Sequence, residues 1–204
     1  MLRFDNLSKR FGDHIVFDNL SGTFGPGAVA LCEEENTGKS TLLAVLAGVL
    51  APDAGDVWID GHAWSSAPGQ ARLRLAYVPD NCMAQPQWTG RALLEQVAQD
   101  RRTAVGPLTM QLADQLGLTP HLDKRFDQMS TGTRRKVYLT AAALGEPAVV
   151  IADGPTNGLD ASARVALADV FKTWARDRVV IFASHDPAFV RACGARSVCI
   201  EGLR

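Results

Sequence analysis

The chain has no run of apolar residues long enough to cross a bilayer. Its longest, over residues 42–51, falls well short of the roughly 20 that a spanning helix needs. The first six residues lack the apolar core of a signal segment. Any membrane role is therefore expected to come through a partner. Net charge is nearly absent as well. The formal value of −1 supplies no global field to draw in nucleic acid or an anionic membrane. Cysteine is sparse: Cys32, Cys82, Cys193 and Cys199 are the four present. None forms a C-x-x-C pair, and no His/Cys cluster has zinc spacing. Cys32 and Cys199 sit in apolar, strand-like runs, so buried reduced thiols of a cytosolic protein are expected rather than a disulfide framework. Internal repeats, low-complexity segments and long linkers are also missing, and the ordinary composition excludes a disordered tail or a fibre as the main architecture.

What is present is ordinary for a globular protein: 204 residues, 47% hydrophobic and 21% charged. That length suits one large domain or two lobes sharing a core. Short β-rich apolar runs at 28–32, 57–60, 75–78, 148–153, 179–184 and 197–200 alternate with helical patterns at 38–50 and 161–174. Continuous apolar runs with abrupt polar ends fit buried strands of a mainly parallel sheet. Residues 1–24 read as antiparallel strands flanking that core. Between 81 and 135 the periodicity turns helical, with segments at 91–98 and 108–116. The expected fold class is therefore α/β, with a mainly parallel sheet, an N-terminal antiparallel β segment and an inserted α-helical subdomain. One domain is expected, with 1–80 and 136–204 forming the α/β core and 81–135 the helical subdomain. Nothing regulatory is expected after the last strand candidate.

Asn36, Thr37, Gly38, Lys39, Ser40 and Thr41 follow a buried strand and open a helix. A phosphate-binding loop needs that context, because free N–H groups and the helix dipole favour an anion there. Lys39 would bridge the β- and γ-phosphates, the Ser40 hydroxyl would ligate Mg²⁺, and Thr41 would reach the α-phosphate. The full G-x-x-x-x-G-K-[ST] pattern is not met, since Glu33 holds the first glycine position. Asn36 holds a second position that is often glycine, and asparagine tolerates a positive φ there. Glu33, Glu34 and Glu35 put three negative charges beside the loop. At about 10 Å and an effective dielectric of about 20, each repels a unit charge by roughly 1.7 kcal/mol before screening. Weaker nucleotide affinity and stronger Mg²⁺ dependence are expected in consequence.

Further fragments fall in a fixed order along the chain. They are Arg10-Phe11-Gly12, Tyr77-Val78-Pro79-Asp80, Met129-Ser130-Thr131-Gly132-Thr133, Val149 to Asp153, Pro155 to Asp160, and Ser184-His185-Asp186. Together with the phosphate loop they make the chain resemble the ATP-binding cassette (ABC) family over nearly its whole length. The resemblance implies a P-loop NTPase core and ATP with Mg²⁺ as cofactors. It matches Phe11 to the aromatic that stacks on adenine, and Asp80 to the Q-loop position where glutamine is usual. Ser130 and Gly132 match the signature motif, Asp153 the Walker B carboxylate and His185 the switch histidine. Nucleotide-binding candidates are thus Phe11, Asn36, Thr37, Gly38, Lys39, Ser40, Thr41, Ser130 and Gly132. Metal candidates are Ser40, Asp153 and Asp80, and catalytic candidates are Lys39, His185 and Asp80.

Physics supports these placements. Asp153 ends a buried strand, which delivers its carboxylate to the sheet edge where phosphates would sit; its other reading is a helix cap before Gly154 and Pro155. His185 also ends a buried strand and could donate to a γ-phosphate. His14, His62 and His121 read as surface residues, and Trp58, Trp64, Trp88 and Trp174 as packing or interface residues. Arg134, Arg135 and Lys136 read either as a solvated helix face or as a partner contact. Ser130 and Gly132 open a second helix start suited to an anion. In the family this signature closes over the nucleotide of the other subunit. The implied partners are a second ABC-type ATP-binding subunit, in a homo- or heterodimer, and a separate transmembrane permease, with no nucleic acid. The implied location is cytoplasmic, peripheral on the inner face of the membrane. Pro86, Gln87 and Trp88 are candidate permease contacts, although Trp88 equally fits the core of the helical lobe.

Gly154 stands where the family has the glutamate that polarises the attacking water. Proton transfer by a positioned base contributes roughly 10²–10⁴-fold, so binding without that base is expected to outlast fast turnover. Asp80 is expected to replace part of the missing carboxylate, as a metal ligand or by orienting water. A Gly154→Glu change is expected to raise turnover if the rest of the site is intact. Three readings follow: a slow ATPase powering transport, an ATP-gated clamp or regulator paired with a competent subunit, and a small-molecule kinase. The signature and the switch histidine argue against the kinase.

Overall fold

Strands that are covered on both faces lose the alternation of apolar and polar residues. Four of the apolar runs, at 28–32, 75–78, 148–153 and 179–184, behave in this way. The computed structural model describes residues 1–31 and 37–203. Residues 32–36, which include Cys32, Glu33, Glu34, Glu35 and Asn36, lie outside the described residues, as does Arg204. The chain opens with β1 (Leu2–Phe11) and β2 (His14–Phe24), an antiparallel pair. β3 (Gly27–Leu31) leaves for a second sheet. β4 (Ala54–Ile59) and β5 (His62–Ala63) return to the first, whose order is β2-β1-β4-β5. β6 (Leu75–Val78), β7 (Val149–Asp153), β8 (Val179–Ala183) and β9 (Arg196–Val198) complete the second sheet in the order β6-β7-β8-β3-β9, with parallel neighbours throughout.

Helices fill the faces and one end. α1 (Lys39–Leu46) and α2 (Pro68–Leu73) lie before β6. α3 (Gly90–Asp100), α4 (Pro107–Gln115) and α5 (Thr131–Ala141) lie between β6 and β7. α6 (Ala161–Trp174) connects β7 to β8, and α7 (Pro187–Ala192) connects β8 to β9.

Three apolar clusters hold these layers. The first joins the antiparallel sheet to α1 and one face of the parallel sheet, through Phe4, Phe24, Leu42, Leu43, Ile151 and Ile181. The second covers the opposite face. There Phe171 of α6 stacks with Phe182 and Phe189 at ring-centroid distances of 5.5 and 5.9 Å. The third, with Leu94, Ala113, Phe126 and Val137, belongs to the helical segment. Full burial of a side chain of this size contributes about 1.5–3 kcal/mol. α5 serves two clusters at once, with Val137 and Ala141 in the third and Leu139, together with the capping Ala142, in the second.

The main departures from the sequence reading lie at element ends. The first helix stops at Leu46, not near residue 50, and the N–H groups of Val49 and Leu50 fold back onto the Ala44 carbonyl. The last strand stops at Val198. Cys199 therefore leaves the sheet and is exposed, which corrects the expectation of a buried thiol. Cys82 and Cys193 are buried, and burial pushes both thiols up to about 12.

Candidate functional site

Parallel pairing sets the register that builds the site. Leu31 of β3 and Asp153 of β7 both lie opposite Ala183 of β8. Three strand ends are thereby level at one edge of the sheet. Helix α1 starts there, and the turn Ser184-His185 leaves from it. A cleft of about 860 Å³ opens over this edge. Among its lining residues are Phe11, Gly38, Lys39, Ser40, Thr41, Asp80, Asp153 and His185.

Lys39 is the first residue of α1 and is only 6% exposed. Its ammonium donates to the Thr37 hydroxyl at 3.2 Å. Gly38 precedes it at φ 87, and no side chain caps the helix start. The first amides of α1 thus keep the electropositive end of the helix toward the cleft. Asp153 is buried, and burial pushes its carboxyl up, an effect offset chiefly by a hydrogen bond from Ser40. The neighbouring Asp80 charge adds to the rise, while Arg135 and Lys39 oppose it. Phe11, at the end of β1, is 53% exposed, an apolar ring left uncovered beside the cleft. Its ring carries the Lys9 ammonium 5.6 Å from its centre. His185 is exposed; the next residue, Asp186, caps α7 by accepting from the amides of Ala188 and Phe189.

Ser130 and Gly132 are not brought into this cleft. Ser130 caps α5, accepting from the Thr133 amide at 3.2 Å. Gly132 lies against Gly158 so closely that a Cβ at Gly132 would overlap the Gly158 carbonyl. Asn36 lies outside the described residues.

Two side chains beside Asp153, those of Arg135 and Asn157, are not among the site residues that the sequence points to. Arg135 is 1% exposed, so neither the solvated-face nor the partner-contact reading holds for it. Its Nη1 donates to the carbonyls of Asp153 at 3.0 Å and Gly154 at 2.6 Å. Its Nη2 donates to the Asp80 carbonyl at 2.7 Å and to Asp80 Oδ1 at 3.2 Å. Asn157 Nδ2 donates to the same Oδ1 at 3.1 Å. Gly154 itself sits at φ +53, and a Cβ there would overlap the Asn157 amide and approach Asp80 Oδ1 to 3.2 Å. His14, Val16 and Arg164 also line the cleft. His14 is exposed, as its sequence context implies, and it also stands at the cleft. The hairpin between β1 and β2 carries it to the mouth, and only sheet pairing reveals that.

Among the described residues, no three His, Cys, Asp or Glu side chains gather into an all-protein metal cage. Magnesium does not need one; it is commonly held by one or two carboxylates together with substrate phosphates. The Ser40–Asp153 pair, a buried carboxyl next to a hydroxyl and an ammonium, fits that donor set.

Residues 17–157 match the ABC transporter family. Nod factor export ATP-binding protein I of Paraburkholderia xenovorans is 31% identical over 194 residues, covering 90% of this chain and 62% of that protein. ABC transporter A family member 1 of Dictyostelium discoideum is 30% identical over 156 residues, covering 73% of this chain and 17% of that protein. The chain thus spans less than two thirds of the length of these relatives. The structure of an ATP-binding subunit of an ABC transporter superposes with a TM-score of 0.85 at 23% identity, covering 99% of this chain and 87% of that one. The ATP-binding cassette MJ0796, solved as a dimer in a post-hydrolysis state with ADP and Pi, superposes with a TM-score of 0.84 at 19% identity, covering 99% and 95%. With β3, β7 and β8 ending level at the cleft and with residues 17–157 matched, the chain belongs to the ABC transporter family and has the α/β P-loop NTPase fold.

Proposed function

We propose that this chain is an ATP-binding subunit of an ABC transporter, which binds ATP with Mg²⁺ and passes that binding energy to a separate membrane subunit. The observation that supports this reading is the convergence of Lys39, Ser40, Asp153 and His185 at one sheet edge beside the exposed ring of Phe11. Mg²⁺ bound with the nucleotide supplies charge neutralisation at the phosphates. The chain's own residues do the rest. The Lys39 ammonium and the opening amides of α1 attract the anion, and Ser40 and Asp153 hold the metal. His185 donates toward the terminal phosphate, and Phe11 packs on the base.

Turnover is slow in this reading. Gly154 offers no side chain to polarise water, and Asn157 fills the space beside it. That packing favours a second reading, a clamp that closes on ATP and rarely hydrolyses it, paired with a competent subunit. Ser130 and Gly132 lie apart from their own cleft and suit the nucleotide of a second ATP-binding subunit across a dimer. We assign the helical subdomain to residues 81–135 and the α/β core to 1–80 and 136–204. Pro86 and Gln87, both exposed, suit contact with the permease at the cytoplasmic face of a membrane. Trp88 is half-buried and packs on the third apolar cluster, so it serves mainly the lobe core. No helix among the described residues is long and apolar enough to cross a membrane.

Calorimetric titration with Mg-ATP tests the reading. Binding in the micromolar to low millimolar range, abolished by Lys39→Ala, is the expected result. No heat at millimolar nucleotide, or binding indifferent to Lys39→Ala, would overturn it. Phosphate release by the pure chain, alone and with a paired subunit, then separates the slow ATPase from the clamp.

A further inference from the structure

Arg135 has four hydrogen bonds, and all go to one small region: the carbonyls of Asp153 and Gly154, the carbonyl of Asp80 and the carboxylate oxygen Asp80 Oδ1. Its Nε has no partner among the described residues. A buried guanidinium is costly unless its donors are met by well-placed acceptors. Here the acceptors are not a generic set of loop carbonyls. They are the last residue of the Walker B strand, the residue in the catalytic-glutamate position, and the residue in the Q-loop position. These segments are far apart in sequence, at residues 80 and 153–154, and α5 delivers the guanidinium between them.

The Asp80 side chain is 61% exposed and faces the cleft. Its Oδ1 takes one hydrogen bond from Arg135 and one from Asn157, at 3.2 and 3.1 Å. Its Oδ2 has no hydrogen bond among the described residues. A carboxylate pinned through one oxygen with the other open is oriented in the way that ligating carboxylates are oriented by outer partners.

We propose that Arg135 is a positioning residue for the nucleotide site. It holds Asp80 so that the open oxygen, Oδ2, serves the magnesium end of the bound nucleotide, in the space where a glutamate side chain from position 154 is absent. Asn157 is the second anchor. This inference rests on the reading of the cleft as a Mg-ATP site, and it assigns the metal-facing carboxylate and what holds it.

The test measures nucleotide affinity of the full chain with Mg²⁺ and with EDTA, using a fluorescent ATP analogue, and takes the ratio as the Mg²⁺ enhancement. Loss of an outer partner of a metal-facing carboxylate typically lowers metal affinity about 10–100-fold. Arg135→Lys is therefore expected to cut the Mg²⁺ enhancement by about tenfold or more while leaving affinity in EDTA nearly unchanged. Asp80→Ala should cause a similar loss. In the double variant the two losses should not add, because Arg135 acts through Asp80. A purely structural arginine would lower the unfolding temperature and weaken binding equally in Mg²⁺ and EDTA. An unchanged enhancement in folded Arg135→Lys, or additive losses in the double variant, overturns the proposal. If Arg135→Lys does not fold, Asp80→Ala and Asn157→Ala carry the test from the solvent side, and an enhancement indifferent to both overturns it. Absence of any nucleotide binding by the unmutated chain would instead sink the functional reading. Hydrogen exchange of the segment 79–84 without nucleotide gives an independent readout, expected to quicken in Arg135→Lys.

Discussion

The Asn157 side-chain amide occupies the volume into which any side chain at Gly154 would project. A Cβ at Gly154 would overlap Nδ2 and lie 3.1 Å from Cγ. The backbone there is also left-handed, at φ +53, which costs most residues about 1 kcal/mol or more. The left-handed turn and the Asn157 amide together leave no room for a larger side chain at position 154 without a shift.

Gly154→Glu alone is therefore expected to change phosphate release little, because the Asn157 amide keeps the new side chain from fitting. Gly154→Glu combined with Asn157→Ala clears the overlap and is expected to release phosphate faster than either single variant. A steady-state assay of all three decides the matter. Equal rates for Gly154→Glu with and without Asn157→Ala would show that the amide is no obstacle.

Gly132 meets the Gly158 backbone with no room for a methyl group. Gly132→Ala must push the start of α5 away from the turn before α6. Overpacking of this kind costs about 1–3 kcal/mol. A clear drop in unfolding temperature is expected, with the urea m-value unchanged. A wild-type unfolding temperature would show that this contact gives way freely.

Asp160 caps α6 and is held well below the usual carboxylate range. The Ser162 hydroxyl is the main cause, followed by the Lys136 ammonium and the Ala163 amide. A carboxyl with a lowered folded value binds fewer protons in the folded chain than in the unfolded one, so its contribution is fully present above the ordinary value of 3.8. It is lost as pH falls from there toward the lowered value. At neutral pH Asp160→Ala is expected to cost about 0.5–2 kcal/mol, the range for a lost helix cap. The stability gap between the two proteins should narrow below about pH 4. A gap that stays constant down to pH 3 would contradict the assignment.

Exposure, not sequence context, separates the thiols. Cys199 is exposed, whereas Cys82 and Cys193 are buried and their thiols are pushed up to about 12. Thiolate is the reactive form. In the native protein Cys199→Ser should remove one fast-reacting equivalent in a thiol-reagent titration. Cys82→Ser and Cys193→Ser should leave the fast phase as it was. An unaltered fast phase in Cys199→Ser would refute this.

Much of the architecture was legible in the chain itself. The strand at 75–78 and the helix at 161–174 match β6 and α6 residue for residue, because buried strands and amphipathic helices write their periods directly into apolar spacing. The site edge was legible for the same reason. Asp153 and His185 stand at or just beyond abrupt ends of apolar runs, Lys39 opens the helix that follows another such run, and parallel strands present those ends together.

Element ends and side-chain partners were not legible. Cys199 looked like the interior of a strand, but β9 pairs only through Val198, and where pairing stops is a property of the neighbouring strand. Arg135 looked like part of a basic surface, since its neighbours Arg134 and Lys136 share its charge. Its burial depends on where α5 crosses the ends of β6 and β7, and on three carbonyls and one carboxylate that come from residues 80, 153 and 154. Sequence spacing carries the period of an element and the chemistry at its ends. Which distant backbone oxygens surround a buried cation is decided only when the helix docks, because the acceptors belong to other elements and become neighbours through packing alone.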